Sequence, residues 1–573
     1  MSSSTKRDTA PDAVTVEVVR AAFNAAAERM RITMIKTAYN HIISETLDFG
    51  CAIFDADVQM LSQGIGMPIF QGHLGFPIQA TIDARGIGAF REGDVFIHND
   101  PYTGNGNHLN DVCMFAPVFW QGELAGFVSV KAHWSDVGGP VPSSMQVGSR
   151  DFRQEGLRFQ SVRLIDRGEM NDEVLGIIRS NIRVESGTLK DAQAMIAVCR
   201  AGVSYFGEIL AKYGLPTVTG AANRYFEQSE RRTLAALAQV PPGVYHAVGH
   251  FDDDGIDRSR PVRVEMSITV APDGLTVDFT GSADQVVGPF NCGDAITTSA
   301  CRLLLKLLTT PLDPVDEGCF RPLRVVIPRR SVLACEEPAP TARYYVPVNL
   351  LIELGQRALA PAMPDRIPAG AYGDQMPTIA YGTHPRTGRL YIQGDLNAGG
   401  TGGRPGYDGE SGMIILGGST ARNNPVEVVE SRVPSIRVVR YALRQDSGGA
   451  GRFRGGLGLE RAYEFLDDGH ITFSLERKAT PPWGLWGGKD GAVNDVEIRS
   501  PDGATRHVRK ETGHLIRKGE VVRTLTGGGG GFGPPSARDP EAVRRDVDEG
   551  YVSAQAAQRD YGVQVPPKGR GGR

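Results

Sequence analysis

The chain has 573 residues, 41% hydrophobic and 22% charged, with a formal net charge of −4 and a pI near 6.3. That length exceeds what one hydrophobic core supports and calls for about two to four domains. The near-neutral balance gives no electrostatic basis for a nucleic-acid partner or for docking to an anionic membrane surface.

In chain order, the polar opening "MSSSTKRDTAPD" has no apolar secretory core, and 1–12 reads as a disordered N-terminus. Residues 14–39 carry apolar side chains at helical spacing without glycine or proline, which predicts an amphipathic helix. From 50 to 135, short apolar runs broken by turn residues predict strands, among them 112–120 and 124–132. Helical patterns return over 172–186 and 189–213, and "YGLPTVTG" reads as a domain boundary. A short helix over 220–239 leads into strands near 262–270, 275–280 and 323–328, with a helix over 297–308.

The 71 glycines stand well above the ordinary share of ~7%. They concentrate in 394–420, 446–458 and 526–535, which read as glycine-rich loops. The expected architecture is therefore a mixed, β-rich α+β chain of several domains. An N-terminal α/β domain spans 13–218, a β-rich glycine-loop region 219–535, and a helical appendix with its tail 536–573. Seven dispersed cysteines without a C-x-x-C pair suggest reduced thiols. No run approaches the ~18 consecutive apolar residues of a membrane span, so a cytoplasmic location and no membrane partner are expected.

Chemistry concentrates between 98 and 140. "GNGNHLNDVC" holds His108 and Asp111 three apart, and "KAHWSDVGGP" repeats the spacing with His133 and Asp136. The two apolar runs between them are joined by Gln121-Gly122-Glu123, which suits a β-hairpin. A turn around Gly122 places Asp111 opposite His133 and His108 opposite Asp136, so both copies converge at the open end. Facing side chains have Cβ atoms only ~4.5–5.5 Å apart. Two imidazoles and two carboxylates there suit a divalent cation such as zinc, manganese or iron. His98 and Asp100 lie close in sequence as further candidates.

Elsewhere the signals are weaker. No P-loop, dinucleotide fingerprint or G-x-S-x-G elbow occurs. "DSGGAGRFRGG" suits either an anion cradle of backbone N–H groups beside Arg452 and Arg454, or a glycine-rich turn with solvated arginines.

Several long segments then coincide with a known pattern. "SETLDFGCAIFDAD", "HNDPYTGNGNHLNDV", "AHWSDVGG", "QEGLRF", "GPFNC", "GCFRPLRV", "NNPVEVVE" and "LRQDSGGAGRFRGGLG" follow one another in order. With the closing "DPEAVRRDVDEGYVSAQAAQRDYGV" they make the chain resemble the hydantoinase B/5-oxoprolinase family from end to end. The resemblance implies one subunit of an ATP-dependent enzyme that opens cyclic amides such as hydantoins, 5-oxoproline or caprolactam. ATP would be handled by a hydantoinase A-type partner with an actin-like ATPase fold, in a hetero-oligomer. Related subunits belong to acetone and acetophenone carboxylases, so a ketone carboxylase subunit is the alternative, with a non-catalytic scaffold as a third reading. In the carboxylase relatives a manganese ion is held by two histidines and an aspartate, matched here by His108, Asp111 and His133. That leaves Asp136 to orient one of the histidines, and Asp48, in "TLDFG", as an extra ligand or base.

Overall fold

The computed structural model describes residues 11–565, so most of the 1–12 stretch and the tail beyond 565 lie outside the described residues. Asp12 lies inside them and is ordered. Its carboxylate accepts a hydrogen bond from the Thr15 N–H at 2.7 Å and caps α1, Ala13–Thr37, because a short acceptor at that position satisfies an otherwise unpaired helical donor. Val16, Val19, Phe23, Ala27, Met30 and Met34 bury one face of α1.

Seven strands follow: β1 (Phe49–Asp55), β2 (Met60–Gln63), β3 (Val95–His98), β4 (Asp111–Trp120), β5 (Glu123–His133), β6 (Val162–Asp166) and β7 (Glu169–Met170). They form one antiparallel sheet in the order β2-β1-β5-β4-β3-β6-β7. Alternation along β4 serves both faces. Val112, Met114 and Ala116 join the core beneath α1, while Cys113 and Phe115 join a second layer with Phe54, Phe96 and Phe127. The helix α2 (Glu185–Tyr213) closes the first core. Its segment Gly187–Tyr213 is long and apolar enough to cross a membrane by length and composition, yet half of its most apolar window is buried inside this protein. Here it is a core helix.

The helix α3 (Leu215–Leu237) runs straight across the boundary expected after 218. Gly214 ends α2 at φ 75° and Pro216 sits in the first turn of α3, so the glycine and proline read as a domain break are a helix stop followed by a helix start. Val218, Ala221, Tyr225 and Phe226 of α3 belong to the N-terminal core.

The region 219–535 contains two further large cores and a smaller cluster around Tyr372, Ala398 and Leu459. In the first, β8 (Gly243–Phe251), β9 (Val262–Ala271), β10 (Gly274–Asp278) and β11 (Leu323–Val326) form a four-stranded sheet. It is covered by α4 (Asp294–Leu308) and α5 (Tyr345–Leu359). α5 is buried almost all round, with Pro347 in its first turn and Gly355 in its interior, residues that read as breakers in the sequence. The second core lies between two sheets: β12 (Thr378–Thr383) and β13 (Leu390–Asp395) with Gly469–Ser474 and Lys510–Ile516, and a five-stranded sheet led by Ile436–Leu443.

The glycine-rich segments are not loose loops. The 527–531 stretch is hydrogen-bonded to several distant segments at once. The carbonyls of Gly527, Gly529, Gly530 and Gly531 accept from the N–H groups of Gly400, Gly449, Gly403 and Leu485. The N–H groups of Gly529, Gly530 and Gly531 donate to the carbonyls of Gly456, Gly370 and Lys489. The backbones lie so close that a Cβ on Gly529 would sit 1.8 Å from the Thr401 carbonyl oxygen. Only glycine fits such an approach. The appendix closes over this bundle. Arg538 bonds Asp408 at 2.6 and 2.7 Å and Asp546 at 2.8 Å, and Asp546 lies on the helix Pro540–Asp548.

Gly529→Ala is therefore expected to lose about 3 kcal/mol or more of stability, or to prevent folding. Gly88→Ala, where no atom lies within 4 Å of the added carbon, is expected to stay within about 0.5 kcal/mol of the parent. Denaturant titration of the two variants checks both.

Candidate metal centre

The hairpin of β4 and β5 turns on Gln121 and Gly122, with φ of 54° and 84°, the positive angles of a two-residue turn that matches strand twist. Such a turn pairs Trp120 with Glu123, and continued regularly it would set Asp111 opposite Ala132. A bulge between Val118 and Phe119 adds one residue to β5, and the ladder closes with Asp111 opposite His133. Because side chains alternate, that single extra residue decides which face His133 occupies.

His108 arrives from the loop before β4. Asparagines hold this loop by bonding its backbone. Asn99 Nδ2 donates to the Leu109 carbonyl at 2.7 Å, and Asn105 Nδ2 to the Asp111 carbonyl at 3.1 Å. Asn110 Nδ2 donates to the Trp134 carbonyl at 2.8 Å. Gly106, at φ 74°, lets the loop press on the first turn of α4, where a Cβ would lie 2.7 Å from the Ile296 nitrogen.

Three ligand-type atoms converge as a result. His108 Nε2 lies 2.8 Å from Asp111 Oδ1 and 3.1 Å from His133 Nδ1, and His133 Nδ1 lies 2.9 Å from Asp111 Oδ1. All three residues are buried. His108 Nδ1 is 3.1 Å from the Ala342 carbonyl oxygen, a contact that needs a proton on Nδ1 and leaves Nε2 with its lone pair facing inward. Lone pairs brought this close in a buried site repel unless a cation or a proton sits among them. A mixed set of two imidazoles and one carboxylate is suited to a divalent transition metal, so the residues present fit that group. Burial pushes the Asp111 carboxyl up, but His108 and His133 overcome it and hold the group well below the usual carboxylate range. Asp111 Oδ2 accepts from Asn107 Nδ2 at 2.9 Å, and the Tyr344 ring stands edge-on to His108 with centroids 4.9 Å apart.

Asp48 sits beside this group, its carbonyl accepting from the His133 N–H at 3.2 Å. Its Oδ1 is buried without a hydrogen-bond partner. Burial pushes this carboxyl up to about 7, with His133 opposing and Asp111 adding to the rise.

Asp136 is not part of the cluster. The ladder stops at Asp111 and His133, and Asp136 turns away to bond Arg183 Nη1 at 2.8 Å, the Arg183 N–H at 2.8 Å and Ser144 Oγ at 3.0 Å. The orienting role expected of it falls to the Ala342 carbonyl on His108. His98 and Asp100 are also spent elsewhere: the Ser161 N–H donates to His98 Nδ1, and Asp100 accepts from Thr103 Oγ1. Nor do Arg452 and Arg454 form an anion cradle. Arg454 pairs with Asp546 at 3.5 Å, Arg452 lies over the Phe453 ring, and neighbouring carbonyls take the N–H groups of Gly449, Gly455 and Gly456. Asn107, Ser135, Tyr344 and Gln375 escape a reading of the sequence. The first two stand within conspicuous motifs; the last two come from remote segments without a signature.

The cluster opens into a cleft of about 60 Å³, set in about 670 Å³ of empty space that includes open solvent. All three cores contribute walls, with Asp48 and Ser135 from the first, Tyr344 from the second and Gln375 near β12.

Residues 12–535 match the family model described as hydantoinase B/oxoprolinase. The B-type chain of a putative D-/L-hydantoinase from Pseudomonas sp. (strain NS671) is 33% identical over 97% of this chain and 95% of its own. The crystal structure of an ATP-dependent caprolactamase from Pseudomonas jessenii superposes with a TM-score of 0.91 at 27% identity, covering 98% of both chains. A nucleotide-free acetone carboxylase shares the fold, with a TM-score of 0.90 at 20% identity over 97% of this chain and 80% of that one.

Elemental analysis of the purified chain is expected to find about one divalent metal per chain, as the one buried three-residue donor set among the described residues holds one ion, and essentially none in a His108→Ala/His133→Ala double variant that stays folded. Asp136→Ala should keep the metal yet lose about 1–3 kcal/mol, because it strands Arg183. Loss of metal from Asp136→Ala with an unchanged melting temperature would reverse the assignment of these roles.

Proposed function

The chain belongs to the hydantoinase B/oxoprolinase family, and from that premise we propose that it is the B-type subunit of an ATP-dependent cyclic amidase. Its partner is an A-type ATPase chain that phosphorylates the amide oxygen. The observation that carries this reading is Asp48, a residue that lines the cleft with its buried Oδ1 unpartnered, beside three converging ligand atoms. The hydantoinase and caprolactamase relatives are each named as one chain of a multi-chain enzyme, which supports a partner. The amidase reading stands ahead of a ketone carboxylase because those relatives are nearer in sequence than the acetone carboxylase, which shares the fold at 20% identity.

A resonance-stabilised ring amide resists water, and phosphorylation of its oxygen makes the carbon electrophilic. In the cleft, Asp48 accepts the proton of the attacking water as the new C–O bond forms. Passing that proton, and then the one left on the new hydroxyl, to the ring nitrogen lets the C–N bond break as the C=O forms, and a second water converts the resulting acyl phosphate to a carboxylate and inorganic phosphate. A general base so placed contributes about 10²–10⁴-fold to the rate. His108, Asp111 and His133 would hold a divalent cation, zinc, manganese or iron, which when bound supplies Lewis-acid polarisation and lowers the pKa of nearby water. Asn107 and the Ala342 carbonyl keep two of those ligands in place. The apolar walls limit the contact of the phosphorylated species with bulk water.

Co-purified with its partner, the chain is expected to support ATP hydrolysis stimulated by lactams or hydantoins, whereas the isolated chain turns over no ATP. Asp48→Asn should lower turnover by about 10²–10⁴-fold while metal content is unchanged. Substrate-stimulated ATP turnover by partner-free protein, or full activity in Asp48→Asn, counts against the assignment.

A further inference from the structure

The wall of the cleft carries an unusual charge balance. Among the described residues, no lysine or arginine lines it, while Asp48, Asp111 and Asp395 do. Asp395 is already neutralised from behind: it accepts from Arg461 Nη1 at 3.2 Å, Asn424 Nδ2 at 2.7 Å and the Tyr463 hydroxyl at 2.7 Å. Those cationic and polar groups are turned to Asp395 and are not offered to a ligand. Among the described residues, the cation held by His108, Asp111 and His133 is thus the only positive charge that an anionic ligand could meet.

The rest of the surface is largely apolar, with Ile42, Met67, Met145, Ile379, Ile392 and Leu396 all lining the cleft. Against this background two buried polar atoms have no partner, Asp48 Oδ1 and Ser135 Oγ. Buried polar groups are normally paired, and an orphan is costly unless a ligand or water completes it. A carboxylate can accept an amide N–H, and a hydroxyl can donate to an amide oxygen.

We propose that this site selects an uncharged cyclic amide bearing an apolar substituent, and rejects rings that carry a carboxylate. The inference rests on the cyclic-amide reading above and narrows it. Asp48 and Ser135 read the amide edge of the ring, and the aliphatic wall takes the substituent. One anionic group, the transferred phosphoryl, is balanced by the metal. A ring carboxylate, as in 5-oxoproline, is a second anion that meets no cation. It would be stripped of water against isoleucine and methionine side chains, with Asp48 and Asp111 close by. Burying an unpaired carboxylate in such surroundings is strongly unfavourable, whereas each buried methylene of an alkyl substituent gains about 0.8 kcal/mol.

Two near-isosteric probes isolate the effect: 5-isobutylhydantoin and hydantoin-5-acetate differ chiefly in a terminal isopropyl against a carboxylate. Titration calorimetry with the full chain supplied with manganese, with ε-caprolactam and 5-oxoproline as companions, is expected to show 5-isobutylhydantoin binding at least about tenfold tighter than hydantoin-5-acetate. Caprolactam should likewise bind ahead of 5-oxoproline. Equal or tighter binding of the carboxylated rings overturns the inference and leaves the cyclic-amide reading standing. Failure of all four rings to bind overturns both. As a second arm, Ile392→Arg, verified as folded by its circular dichroism melt, is expected to raise hydantoin-5-acetate affinity about tenfold and lower that of 5-isobutylhydantoin. No gain for the acid in that folded variant also counts against the proposal.

Discussion

Asp111 faces His133 across the open end of a hairpin, and that register depends on one additional residue bulging from β5. Without it, strand alternation would present Ala132 to Asp111 and send the His133 imidazole to the other face of the sheet. The pairing draws the surrounding structure after it. The asparagine-rich loop before β4 is laced to its own backbone so that His108 meets the pair. Three close, buried acceptors then require a positive partner, and the second core supplies Ala342 and Tyr344 to hold and cover the arrangement.

The centre therefore belongs to no single part of the chain. The first sheet provides its donors, the start of α5 sets an imidazole, and the segment near β12 and β13 provides much of the apolar wall. Asp111 and His133 sit on paired strands and His108 in the hydrogen-bonded loop before them, while Ile379 and Ile392 of the wall lie on β12 and β13.

The hairpin was legible because strand alternation and a glycine-bearing turn permit arithmetic on residue numbers. That arithmetic reached the facing of Asp111 and His133, though the route was a two-residue turn plus a bulge. It failed for Asp136 because a ladder can end, and nothing local marks the residue at which it does. The core helix 14–39 and the strands near 262–280 showed through their periodicity. α5 did not, since Pro347 and Gly355 lie within it and read as breakers. Gly214 and Pro216 were misread as a boundary because the same residues that terminate helices also start them. The glycine segments were recognised as unusual and read as loops, without the partners they pack against. Composition reports conformational freedom, whereas the partners of 527–531 lie in segments as distant as Gly370, Gly400 and Gly456. The contributions of Ala342 and Tyr344, more than 200 residues from His108, follow from tertiary packing alone.

The contact between His108 and the Ala342 carbonyl has an evolutionary reading. A carbonyl oxygen is common to all twenty residue types, so no point substitution at 342 deletes the acceptor that sets the imidazole tautomer. The same contact is exposed to changes in chain length: one residue inserted or removed between Pro340 and the start of α5 would carry the oxygen out of reach. The tautomer of His108 is thus set by backbone and fragile to insertions and deletions, and descendants of this scaffold should keep constant the spacing of residue 342 to the helix.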